Sequence, residues 1–297
     1  MTLRQLVNKA TNKDNFTSLS DYTNFAKHYL DFIKTKLQAV IVSRNENNYR
    51  FFQYKKDGTY NVTRPINSDL MLSLEELTVG IDPFFELLDN VRDDAIDTKE
   101  NRVLINNFIY TCQQSIGAVL DALPAKRVNT ARKINGDLFE RFIRLIISKA
   151  GVDVSDGNIA VPVKINGEIA FNFNYQHDLI IKVDDETKAI GSVKTSSKDR
   201  LDKIFIDKFL FNRLTDTDTP HFAIFLNDVQ RKGKEGKYGV GATFLPGHFK
   251  GYTIKLNSLD GVYYFDIRPN MKTEAILKDH IKTFDHFLLS DIWKFIE

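Results

Sequence analysis

Between Ala160 and Lys194 the chain runs AVPVKI, AFNFNY, DLIIKV and AIGSVK, broken by Asn-Gly at 166–167 and Asp-Asp-Glu at 184–186. These short runs rich in β-branched and aromatic residues predict strands, and the turn residues between them demand tight reversals. The segment therefore reads as an antiparallel meander. Such a sheet needs helices to cover its apolar faces, and the flanking segments supply them. GDLFERFIRLIISK at 136–149 repeats its apolar residues at helical spacing, with Leu138, Phe142, Leu145 and Ile146 on one face. Residues 199–213 read as a second helix and HFAIFLND at 221–228 as a buried strand, followed by short strands ATFL, YTIKL and VYYFDI and a terminal helix over 272–296. The order α-β-β-β-α-β predicts an α/β (α+β) domain with a mixed sheet flanked by helices.

Upstream, Tyr22, Phe25, Tyr29, Phe32 and Ile33 mark a helix within 17–39, and AVIVS, YRFFQY and TYNV read as strands joined by hairpin turns. Residues 75–100 hold nine carboxylates against Arg92 and Lys99 and read as an acidic helical connector. A largely apolar helix over 103–123 stops at Pro124, and the basic KRVNTARK at 126–133 reads as a loop. The composition shift near residue 100 suggests an N-terminal α+β module over 1–100 and a second domain over 101–297.

The 297 residues, 42% of them apolar, suffice for a sizeable core, and 41 Lys+Arg against 39 Asp+Glu leave almost no net charge. Any site for a polyanion must therefore be local. A single cysteine, Cys112, excludes an internal disulfide and a multi-cysteine zinc site. The first residues lack the apolar core of a signal peptide, and no run approaches a membrane span, so a cytoplasmic protein is expected. The histidines show no metal-ligand spacing.

Chemistry concentrates around one hairpin. Asp178 opens DLIIKV and Lys194 closes AIGSVK, so the hairpin brings both to one end of the sheet. A lysine after an apolar strand beside an aspartate is costly to bury without a purpose. On the following helix Asp207 lies two turns from Arg200, away from the Leu201/Ile204/Phe205 stripe, where it could join Asp178 and Lys194. Two carboxylates and a lysine around one point suit Mg2+ and phosphodiester hydrolysis.

These residues resemble the PD-(D/E)xK nuclease motif, with Ser192 where its second acid normally stands. The pattern Lys194, Lys198-Asp199-Arg200 and then Asp207 resembles the EcoRII/NgoMIV-like branch of type II restriction endonucleases, which reads CCGG, CCNGG or CCWGG sites and carries the displaced acid on the next helix. That acid is usually glutamate in the branch, and His177 stands where the motif name has proline. The resemblance covers about residues 100–230. It implies a restriction-endonuclease-like fold, catalytic roles for Asp178, Lys194 and Asp207, with Asp178 and Asp207 on Mg2+, and Glu140 near the metal. It further implies reading of C·G pairs by Lys198, Asp199 and Arg200, a homodimer on palindromic double-stranded DNA, and 5′-phosphate ends.

Lys126, Arg127, Arg132, Lys133, Arg231 and Lys232 are candidates for contacts to the DNA backbone. Other readings stay open: Glu140 as an i,i+4 partner of Arg144, the KDR block as a solvated helix start, and the basic segments as aids to solubility. A repair or methylation-dependent nuclease of the same fold, or a DNA-binding protein without activity, would carry much of the same pattern.

Overall fold

The computed structural model describes residues 1–56, 59–198, 200–232 and 238–297, with the backbone alone at Lys56 and Thr59. The chain divides into two compact units, residues 1–146 with 228–243, and residues 147–227 with 244–297. Near residue 100 no division occurs, because the helix that starts there packs against its own upstream neighbours.

The first unit opens with α1 (Leu3–Thr11) and α2 (Leu19–Lys36), then β1 (Ala39–Val42), β2 (Tyr49–Lys56), β3 (Thr59–Val62) and β4 (Ile66–Asn67), and continues through α3 (Leu74–Asp89), α4 (Lys99–Leu120) and α5 (Val128–Lys149). Its centre is α4. From Phe108 to Leu120 every residue of this helix is buried, the outcome expected of a helix apolar on most sides. α1, α2 and α3 pack against it, and Phe84 of α3 stacks on Phe108 at 4.0 Å. Where α4 ends, the Asp121 carboxylate accepts from Arg64 Nε at 2.9 Å and Nη2 at 2.8 Å, a bidentate pair that ties the strand layer to the helix.

α1 lies outside the sequence expectations, although Leu3, Leu6, Val7 and Ala10 have helical spacing and Thr2 with Gln5 forms a capping box. The acidic connector is α3, capped by Ser73, and a looser segment before α4. KRVNTARK is not a loop. Lys126 and Arg127 sit in a 3-10 turn after Pro124, and Arg132 and Lys133 are already inside α5.

The second unit holds β5 (Val154–Ile165), β6 (Glu168–Val183), β7 (Glu186–Lys194), α6 (Leu201–Thr215) and β8 (His221–Phe225). The chain then returns to the first unit for the hairpin β9 (Val229–Lys232) and β10 (Gly239–Ala242), whose Val229 and Val240 pack with Tyr49 and Phe51. Back in the second unit follow α7 (Pro246–Lys255), β11 (Gly261–Tyr264), α8 (Pro269–Thr273), α9 (Ala275–His280), β12 (Ile281–Thr283), α10 (Phe284–His286), a π-helical turn and α11 (Ile292–Ile296).

The strands form one six-stranded sheet in the order β12-β11-β8-β7-β6-β5. β5, β6 and β7 are antiparallel, whereas β7, β8, β11 and β12 run parallel, so the sheet is mixed. α6 and α7 cover one face, with Leu201, Ile204, Phe205 and Phe249 packed on Ala223, Phe225, Val262 and Tyr264. On the other, Phe222 lies 4.9 Å from Phe287 and 5.5 Å from Phe295. Gly191 permits that closeness, since a Cβ there would come within 2.5 Å of the Phe222 ring.

Three downstream expectations change. Of ATFL only Ala242 lies in a strand, as the end of β10. YTIKL belongs to α7, not to a strand: Pro246 starts a helix at its first turn, and Phe249 is buried while Ile254 stays exposed. The expected terminal helix is broken, because Ile281–Thr283 pair with β11 and extend the sheet.

Candidate active site

The β6–β7 reversal is made by Asp184 and Asp185, both in the left-handed region at φ 49° and 64°. From this turn the register runs through Ile180↔Ile190 to Leu179↔Gly191. On its other side, β6 pairs Ile180 with Ser155 but His177 with Gly157, so Asp178 and Leu179 together oppose the single residue Asp156. This is a β-bulge, and it takes Asp178 out of the regular alternation. Its Oδ2 accepts the Val193 backbone N–H at 2.8 Å and an ion-paired hydrogen bond from Lys194 Nζ.

Lys194 is the last residue of β7, level with Phe225 in β8, and its carbonyl accepts from Leu226 N at 3.1 Å. Both members of the pair therefore stand on strands held on two sides. Asp178 is 15% and Lys194 27% exposed, enough to meet a ligand from solvent. The second oxygen of Asp178 accepts no hydrogen bond from the described residues. It offers a hard oxygen donor, the type Mg2+ takes when it binds through one or two carboxylates and keeps its waters.

Asp207 lies on α6, ion-paired with Lys203 one turn before it. One turn beyond it, Phe211 packs on Tyr175 at 5.6 Å and on His177 at 5.7 Å. The carboxylates of both Asp207 and Asp178 act on His177, while Asp207 makes no hydrogen bond to Asp178 or Lys194. Among the described residues no three His, Cys, Asp or Glu side chains are gathered as a ready metal cage.

Lys198 and Arg200 are exposed at the entry to α6, where Arg200 N donates to Ser197 O at 3.3 Å; Asp199 lies outside the described residues. Glu140 is half-buried on α5, in the first unit. Lys126, Arg127, Arg132 and Lys133 are exposed around the start of α5 and form no ion pair with the described residues. Cations gathered at a helix N-terminus oppose its dipole, which an anion would relieve. Arg231 is already engaged: its guanidinium donates to Val62 O at 2.8 Å and Thr63 O at 2.5 Å and lies over the Phe51 ring at 5.3 Å, whereas Lys232 is exposed.

Sequence alone assigns no chemistry to two histidines beside the site. His177 and His221 are buried with ring centroids 6.4 Å apart, and Phe211 touches both. A histidine that opens an otherwise apolar strand, as in HFAIF, is the signal that marks such a residue. His221 Nδ1 donates to Thr219 O at 2.9 Å, so Nε2 carries the lone pair, and it has no hydrogen-bond partner. Burial pushes the His221 imidazole down to about 4, and burial likewise lowers His177. Between pH 6.5 and 4 the unfolded chain binds a proton that the folded chain refuses, so this stability is complete above about 6.5 and is lost as pH falls toward 4. For His221 the loss amounts to roughly 3 kcal/mol. Urea titrations at pH 7 and 4.5 are expected to show it, with a flatter dependence in His221→Phe; the same slope in that variant would refute the assignment.

No protein-family model and no curated protein matches the sequence. Among solved structures, the chain is similar to the type IIP restriction endonuclease Kpn2I, at a TM-score of 0.70 and 19% identity over 99% of this chain and 97% of that chain. A second similarity, to the restriction endonuclease PspGI in complex with substrate DNA, covers 74% of this chain and 88% of that chain at 12% identity and a TM-score of 0.44. The similarity to Kpn2I shows that this chain has the fold of a restriction endonuclease.

Proposed function

We propose that the protein is a type II site-specific deoxyribonuclease that hydrolyses double-stranded DNA with Mg2+ at a short C/G-rich palindrome with a CCGG- or CCNGG-like core. The observation that carries this reading is the Asp178–Lys194 pair at the end of β7, within a fold shared with a restriction endonuclease. Mg2+, held by Asp178 and Asp207, would supply charge neutralisation and a more acidic water. The Lys194 ammonium orients the attacking water and stabilises the charge that develops on the phosphate oxygens. Asp178 fixes the ammonium through Oδ2 and leaves its other oxygen for the cation. Water oxygen bonds to phosphorus as the bond to O3′ breaks, leaving a 3′-hydroxyl and a 5′-phosphate. The family resemblance gives Glu140 a catalytic role as well.

Lys198 and Arg200, with Asp199 between them, read the C·G pairs: the cations donate to guanine O6 and N7, and the acid accepts from cytosine N4. Lys126, Arg127, Arg132, Lys133 and Lys232 contact phosphates, and Arg231 contributes mainly by holding its own hairpin. A palindromic site calls for a two-fold protein, hence a homodimer. Digestion of DNA of known sequence with Mg2+, followed by mapping of the ends, is expected to give discrete fragments with 5′-phosphates at one C/G-rich sequence. No cleavage with any divalent metal would refute the enzyme. Arg200→Ala is expected to weaken cutting of that sequence by about 10- to 100-fold and to relax the preference for guanine at one position. An equal loss on every sequence, read from the same end maps, would argue for a phosphate contact instead.

A further inference from the structure

Beyond Asp178, β6 continues outward into a region where β5 is its one strand partner among the described residues. β7 pairs with β6 from Leu179 to Val183, and β5 is the last strand of the sheet. Residues 158–165 and 168–176 therefore form a two-stranded ribbon, closed by Asn166 and Gly167 at φ 54° and 86°. Lys194 ends β7, and continuing the antiparallel register from Leu179↔Gly191 sets Gln176 level with it. The ribbon thus projects past the Asp178–Lys194 end of the sheet. From Gln176 to Ile169 it spans about 23 Å, longer than the roughly 12 Å width of a DNA major groove.

Its two faces differ. One carries Val161, Val163, Phe171, Phe173 and Tyr175, with the last two rings 4.6 Å apart. The other presents Asn172, Asn174 and Gln176, all exposed and none hydrogen-bonded through its side chain to the described residues. Opposite Asn172 and Asn174 stand Pro162 and Ala160, too short to cover the amides. Side chains two residues apart on a strand are separated by about 6.6 Å, close to the roughly 6.8 Å of two base-pair steps. The row carries no charge, so it suits base edges and not phosphates, and a carboxamide pairs with adenine through N6 and N7.

We infer that the β5–β6 ribbon enters the major groove and that Asn172, Asn174 and Gln176 read A·T pairs beside the C/G core. This rests on the proposed cleavage of DNA at Asp178 and Lys194. The test is selection of bound duplexes from a random pool without metal, followed by sequencing, for the wild-type protein and for two triple variants. One has Asn172→Ala, Asn174→Ala and Gln176→Ala, and the other has threonine at the same positions to keep strand propensity. The wild-type pool is expected to show adenine at positions flanking the core, and both variants to lose it. Affinity for the selected duplex should fall about 10- to 100-fold with an unchanged salt slope. A flanking preference that is absent in the wild type, or equal in the variants, overturns the inference. So does a fall in sedimenting mass of the DNA-free variants, which would make the ribbon a surface between copies of the chain. Wild-type binding without cleavage in Mg2+ would sink the nuclease reading while leaving the ribbon test fully readable.

Discussion

Replacing Lys194 by alanine is expected to lower the cleavage rate by on the order of 10²- to 10³-fold while DNA binding stays within a few-fold of wild type. The magnitude is that of removing one preorganised donor from a charge developing in the transition state. Lys194 can be spared structurally because its ammonium is partly in solvent and because Asp178 keeps a second donor in Val193 N. Lys194→Met, which retains the apolar stem, should lose the same activity with less effect on packing. Single-turnover cleavage beside filter binding separates the two quantities. Full activity in either variant would remove Lys194 from the chemistry.

Asp178→Ala should abolish cleavage and also cost stability. It removes the acceptor of the Val193 N–H and the ion-pair partner of Lys194, at about 2 kcal/mol after allowance for the exposure of the pair. Asp178→Asn keeps an oxygen for Val193 N but removes the charge, so its stability should lie near wild type while its activity matches that of the alanine variant. The double variant Asp178→Asn with Lys194→Met closes a thermodynamic cycle, and denaturant midpoints measure the coupling directly. Undiminished cleavage by the Asp178→Asn variant would show that the carboxylate has no part in the reaction.

Much of this arrangement is legible without coordinates. Two short β-rich runs and the Asp-Asp-Glu reversal between them place Asp178 and Lys194 at one end of a hairpin, because strand pairing is arithmetic once the turn is known. Tertiary context alters what periodicity suggests elsewhere. YTIKL has the β-branched composition of a strand, yet a proline at N1 and the burial of Phe249 select a helix. Residues 272–296 have helical spacing, yet an open sheet edge recruits Ile281–Thr283 as a parallel strand.

Asp207 illustrates the limit of helical arithmetic. Counting seven residues from Arg200 sets its direction on a helix that contains both, but α6 begins at Leu201 and Arg200 precedes it with non-helical backbone. Asp207 is ion-paired with Lys203, and α6 is seated by Phe211 against Tyr175 and His177.

Sequence by itself determined the meander, the helix α6 that follows it and the meeting of an acid with a lysine, all of which depend on neighbours along the chain and on hydrogen bonds of fixed period. Only the tertiary structure decided that Asp178 sits in a bulge, that β6 runs on as a ribbon beyond the sheet, and that two histidines are buried beneath α6. A bulge is one residue of mismatch between two strands, and burial is the sum of contacts from distant segments. Neither is written in the spacing of any single stretch.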